Sequence, residues 1–333
     1  MIVARSPYRI SFFGGGTDYA DWYSVHGGAF LSMAINYYTY ITLRVKPKFQ
    51  EKEFRVLWRL AEEVKSIDHI KHPIVRETLK EFNYDRGLDI SYIGDLPGGS
   101  GMGSSSAFTA ALIKSIYDDM KKDINPYELA QITYEIESKK LKEVVGIQDQ
   151  IATAFGGFNC VKINKDSSYV ISPVNLSTSS LDQLTERMIL VYTGQTRRAT
   201  SIAESQVKNM KNKTQEFSCL QDMVEKGMNF LLENNIDEFG KLLHEAWIIK
   251  RDLSSSVTNN EINELYDYGM QKGALGGKIL GAYKGIKSGH SITNQLLKTL
   301  FSDKTAWRYG VPESQIMKNM VNTPIEVNDC CSV

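Results

Sequence analysis

The chain opens on "MIVARSPYRISFF", where apolar and polar positions alternate, and β-branched and aromatic residues alternate again in "INYYTYITLRV" (35–45). Both stretches read as strands. A charged segment follows, then "HPIVRETLKEF", helical by its spacing from Pro73 at a first-turn position. "LDISYIGDLP" is a further strand. Residues 104–119 and 126–142 carry helical periodicity; in the second, Leu129, Ile132, Thr133 and Ile136 share a face, and Asn125 and Pro126 supply cap and first turn. "GGFNCVKIN" and "SYVISPVNL" form a hairpin-type pair, and "RMILVYTG" is a compact apolar strand. From there the spacing is helical over 199–213, 215–234, 236–252 and 259–272. This shift from mixed elements to helix puts a domain boundary around "NLSTSSLDQ", giving an N-terminal domain over 1–180 and a C-terminal one over 181–333.

Composition narrows the partners. The 333 residues are 42% hydrophobic and 23% charged, ample for a large core, and Lys+Arg balance Asp+Glu at 39 each. No overall basic field favours nucleic acid or a membrane surface. Arg5, Pro7 and Arg9 interrupt what a signal peptide would keep apolar, and no run has the length of a membrane helix. The four cysteines show no metal-ligand spacing with histidine. A cytoplasmic protein is expected, with no nucleic-acid or membrane partner.

The candidate chemistry centres on "GDLPGGSGMGSSSAF" (94–108), placed between a strand and a helix. It lacks the lysine of a Walker A loop and the third glycine of G-x-G-x-x-G. Gly98, Gly99, Gly101 and Gly103 nevertheless allow close backbone approach, and Ser104–Ser106 open a helix whose unpaired N–H groups and positive dipole end suit an anion, above all a polyphosphate. A turn needs one or two glycines, so four favour a ligand over a bare turn. "TGQTRRATSIAE" offers a second anion site, with Arg197 and Arg198 ahead of a helix.

"PGGSGMGSSSA" resembles the phosphate-binding motif of the GHMP kinases. "SPYRISFFGGGTDYADWY" is similar to that family's N-terminal signature, and "IESKKLKEVVGIQDQIATAFGG" to the segment that supplies a glutamate and an aspartate. Gly15 and Gly16, standing where galactokinase-like members carry Glu-His, together with "GIQDQ", "AFGGFN" and "VYTGQTRRA", resemble the heptose branch. The resemblance runs from residue 1 to about Ala282. It implies a two-domain α+β GHMP kinase fold: a ribosomal S5 domain 2-like N-terminal domain and a helix-rich α+β C-terminal domain that closes over the sugar.

The resemblance further implies ATP-dependent, Mg²⁺-dependent phosphorylation of the anomeric hydroxyl of D-glycero-D-manno-heptose 7-phosphate, on the route to nucleotide-activated heptose for surface polysaccharide. Its partners would be ATP and a sugar phosphate, and a homodimer is compatible with it. Pro97, Gly98, Gly99, Ser100, Gly101, Met102, Gly103, Ser104, Ser105 and Ser106 would hold ATP, and Ser105 with Glu137 the Mg²⁺. Glu135 is an alternative to Glu137. Asp149 would act as base or orienter beside the sugar hydroxyl, with Arg9 keeping it ionised. Gly15, Gly16, Thr17 and Asp18 would contact the sugar, and Arg197 and Arg198 its phosphate.

The resemblance breaks after Ala282, where Tyr283, Lys284 and Ile286 interrupt an expected glycine run and residues 283–333 show no convincing buried strand. A neutral-sugar kinase, akin to fucokinase or galactokinase, and a non-catalytic ATP and sugar sensor on the same fold are the competing expectations.

Overall fold

A computed structural model describes residues 1–47, 49, 53–191, 200–254, 257–280, 300–302 and 327–329. In chain order the N-terminal half gives β1 (Ile2–Phe13), α1 (Ala20–His26), β2 (Gly28–Val45), β3 (Phe54–Leu57), β4 (Ala61–Val64), α2 (Pro73–Glu81) and β5 (Leu88–Gly94). α3 (Ser104–Asp119), α4 (Pro126–Glu135), α5 (Gln148–Phe155), β6 (Phe158–Ile163) and β7 (Tyr169–Pro173) follow. The rest contains α6 (Thr178–Glu186), α7 (Thr200–Asn209), α8 (Thr214–Leu232), α9 (Ile236–Arg251), α10 (Asn260–Gln271), β8 (Ala274–Gly277), β9 (Leu300–Ser302) and β10 (Val327–Asp329).

β2 organises the main sheet. Its 18 residues pair antiparallel with β1 along one side, while on the other its first part (28–33) takes β6 and its last part (39–45) takes β5. β3 runs parallel to β5, β4 and β7 close two edges, and β10 pairs with Ile2–Ala4 at a third. β1 is buried along nearly its whole length because both its faces are covered. α3 and α5 pack on one side, with Ile113, Ile147 and Ile151 in their core, and α8 and α9 on the other, where Phe217, Phe239 and Leu243 meet Tyr8, Phe12 and Phe13. Phe239 sets its ring edge-on to both Phe12 and Phe13, at centroid separations of 5.3 and 5.2 Å. The C-terminal helices therefore brace the strand that carries Arg9.

Two local differences from the sequence pattern have physical causes. The helix expected over 126–142 ends at Glu135 and widens into a π-helical turn, Ile136–Lys140. Met188–Val191 forms no strand; Met188 is buried, Leu190 packs on the core, and Ile189 faces outward, so these side chains pack without joining a ladder. The bulky residues Tyr283, Lys284 and Ile286 lie outside the described residues. Beyond them, β9 pairs with β8 and β10 with β1, so strand pairing continues past Ala282. Among the described residues no helix is long and apolar enough to cross a membrane.

Candidate active site

The glycine-rich loop joins β5 to α3. Gly99, Gly101 and Gly103 all stand at φ +76°, a backbone that glycine adopts freely. Gly103 caps α3 in the left-handed conformation with no side-chain bond to the helix end, so the N–H groups of the first turn point outward. Ser104 Oγ turns back to accept from the Gly99 N–H at 3.2 Å, which stiffens the loop. Met102 is otherwise placed: its side chain belongs to the core and only its carbonyl serves the loop.

β1 docks onto that loop through Arg9, whose N–H donates to Met102 O at 3.1 Å and whose Nη1 donates to Gly101 O at 2.8 Å. The same guanidinium reaches Asp149 Oδ1 with Nε at 2.7 Å and Nη2 at 2.5 Å. Among the described residues none bonds Asp149 Oδ2, and the side chain is 30% exposed. A Cβ on Gly103 would lie 3.6 Å from Asp149 Cγ, so the end of the loop and the carboxylate are neighbours. Residues separated by 140 positions thus meet at one point, the opening of α3.

Glu137 lies beneath that opening, on the π-helical turn that re-aims the end of α4. It is 1% exposed and accepts from Ser106 Oγ (2.9 Å), Thr109 Oγ1 (3.2 Å) and Gln150 Nε2 (2.5 Å). Burial pushes its carboxyl up to about 7, since three neutral donors do not replace lost hydration. Ser105 is exposed, and the hydroxyl beside Glu137 is that of Ser106. Glu135, the alternative, sits outside, paired with Lys139.

The Gly14–Asp18 turn follows β1. Asp18 Oδ1 accepts from the Gly16 N–H at 2.8 Å and Oδ2 from the Gln148 N–H at 3.3 Å, which ties this turn to the start of α5. Gly146 makes that seat possible: a Cβ there would fall 1.9 Å from Asp18 Oδ2. Burial raises the Asp18 carboxyl, and Asp149 adds to the shift. Thr17 is fully buried, its Oγ1 within bonding distance of Gly14 O and Ala29 O, so it holds the turn. Gly15 and Gly16 line the same turn. Arg197 and Arg198 lie outside the described residues.

Several neighbours are given no role by the sequence. Gln148 and Gln150 flank Asp149, the first binding Ser11 Oγ at 2.9 Å and the second Glu137. Lys250, near the end of α9, donates to Gly15 O at 3.2 Å, and Lys278, just after β8, donates to Phe12 O at 3.0 Å.

Residues 68–157 match the family model of the GHMP kinase N-terminal domain, a span holding the loop, Glu137 and Asp149. That segment is a GHMP kinase N-terminal domain. The chain is 27% identical over 303 residues to D-glycero-alpha-D-manno-heptose 7-phosphate kinase of Campylobacter jejuni, covering 85% of this chain and 87% of that one. It is also 25% identical to galactokinase of Pyrococcus furiosus, over 84% and 86% of the two chains. A crystal structure of a D-glycero-D-manno-heptose 1-phosphate kinase from "Bacteriodes thetaiotaomicron" superposes with a TM-score of 0.70 at 21% identity, over 91% of this chain and 89% of the other, a likeness of fold. The chain is an ATP-dependent phosphotransferase.

Proposed function

We propose that this protein transfers the γ-phosphoryl group of ATP to the anomeric hydroxyl of D-glycero-D-manno-heptose 7-phosphate, giving the 1,7-bisphosphate. The observation that carries the reading is the Arg9–Asp149 pair set against the mouth of the glycine-rich loop. The resemblance to the Campylobacter jejuni enzyme supports the choice of sugar. ATP phosphates would lie over the loop from Gly98 to Gly103 and the outward N–H groups of the first turn of α3, Ser104–Ser106.

Asp149 Oδ1 is occupied by Arg9, so Oδ2 is the oxygen that meets the acceptor hydroxyl, as base or as orienter. The Arg9 guanidinium holds the carboxylate in place and would face the transferring group, which is stabilised mainly by position and charge. Asp18 and the Gly15–Thr17 turn would border the sugar. The division near residue 180 belongs to the same proposal, with α8 and α9 forming the sugar-side wall.

Mg²⁺ suits the oxygens around Glu137. Among the described residues that buried carboxylate has no cationic partner and the neighbouring Gln150 Oε1, a buried acceptor, has no bond. Glu137 with the Ser105 or Ser106 hydroxyl would hold the ion, which when bound offsets charge on the β- and γ-phosphates.

A coupled ADP-release assay with MgATP against heptose 7-phosphate, fucose, galactose and mevalonate tests the reading. Turnover on the heptose phosphate alone is expected; turnover on fucose or galactose alone would replace it with the neutral-sugar kinase.

A further inference from the structure

Where β1 ends, a narrow cleft lies between Phe12–Gly15, the Trp247–Lys250 turn of α9, and Lys278. Phe12 is three residues along the strand from Arg9, roughly 10 Å at the rise of an extended chain. Two ammonium groups enter this cleft. Each spends one of its three donors on a carbonyl, Lys250 on Gly15 O and Lys278 on Phe12 O, and neither forms an ion pair among the described residues. Beside them Trp247, 1% exposed, has an indole N–H with no bond among the described residues. A buried donor left unpaired in a folded core is uncommon and costly. Gly15 keeps the approach open, since a Cβ there would come within 3.0 Å of Lys250 Nζ.

We infer that this cleft is a binding site for the phosphate group of a phosphorylated sugar, taken between Lys250 and Lys278 with the Trp247 N–H as a further donor. The inference rests on the proposed sugar kinase activity and supplies the group that recognises the end of the acceptor remote from ATP. Desolvation lowers both lysines from their ordinary values, Lys278 strongly, and a bound dianion restores the charged forms. Arg9, Asp18 and Asp149 are the other charges in range, and all belong to the site already described.

Calorimetry on the full chain without ATP tests it. Heptose 7-phosphate and mannose 6-phosphate are compared with heptose and mannose. The wild type should prefer each phosphorylated sugar by about 10–100-fold, the scale of one net charge-assisted bond after desolvation of the phosphate. Lys250→Met with Lys278→Met should erase that preference while keeping or raising the Tm, because a near-isosteric apolar chain replaces a desolvated cation. Lys250→Arg should retain it, and Trp247→Phe should weaken it about 5-fold, one neutral donor's share. No preference in the wild type, or a preference that survives the double replacement, overturns the inference. Lysine-dependent binding of both phosphorylated sugars without turnover of heptose 7-phosphate would sink the heptose reading and uphold the site.

Discussion

Arg9 closes on a single oxygen of Asp149: Nε and Nη2 lie 2.7 and 2.5 Å from Oδ1, and no described residue bonds Oδ2. This asymmetry leaves the carboxylate with one anchored oxygen and one that no described residue occupies. It also ties Asp149 to the nucleotide loop, because the same guanidinium donates to Gly101 O.

Asp149→Asn should therefore keep the fold and ATP affinity while kcat falls about 10³-fold, the range of a lost proton acceptor. Steady-state kinetics with ATP binding measured in parallel checks this. Unchanged kcat would remove Asp149 from the chemistry.

Arg9→Lys should cost more than its conserved charge suggests. A lysine cannot span Asp149 and Gly101 O together, so turnover should fall by about 10²-fold or more with a smaller effect on stability. Comparable kcat for the two proteins would argue that only the charge matters.

Glu137 gives a pH prediction with a definite sign. Its folded value near 7 lies above the ordinary 4.5, so the native state holds the proton more tightly. The stabilisation is complete below about pH 4.5 and is lost as pH rises through 7, costing at most about 3 kcal/mol in the metal-free protein. Glu137→Gln should then melt higher than the wild type at pH 8 without metal, and its advantage should vanish near pH 4. MgATP turnover should drop by at least about 10²-fold if Glu137 holds the ion. A Tm difference independent of pH would contradict the buried ionisation.

Gly146→Ala should destabilise by about 2 kcal/mol or more, because its methyl group would press on the buried Asp18 carboxylate. Denaturant unfolding measures it. Tolerance of alanine would mean that the Asp18 seat relaxes at little cost.

The sequence made much of this legible where local chemistry repeats a physical rule. Gly99, Gly101 and Gly103 stand at positive φ and signal themselves by composition, and the helices after residue 199 follow their apolar spacing closely. The pattern was less informative where tertiary contacts decide. β2 begins at Gly28, seven residues before the alternating stretch that announces it, because β6 pairs with its glycine-led start. β3 and β4 hide in a charged segment because only one side of that hairpin is buried. Within the site, Arg9, Glu137 and Asp149 were readable by motif. Ser106 in place of Ser105 beside Glu137 depends on helix phase, and Lys250 and Lys278 reach the cleft from α9 and from the end of β8, with no role for either readable in the pattern.

The most direct test of the central claim is ³¹P NMR of the product formed from MgATP and D-glycero-D-manno-heptose 7-phosphate. A new phosphomonoester resonance coupled to the anomeric proton is expected, growing with ADP while the 7-phosphate signal persists. ATP consumption with no such resonance, or a new phosphate coupled to another ring proton, would contradict it.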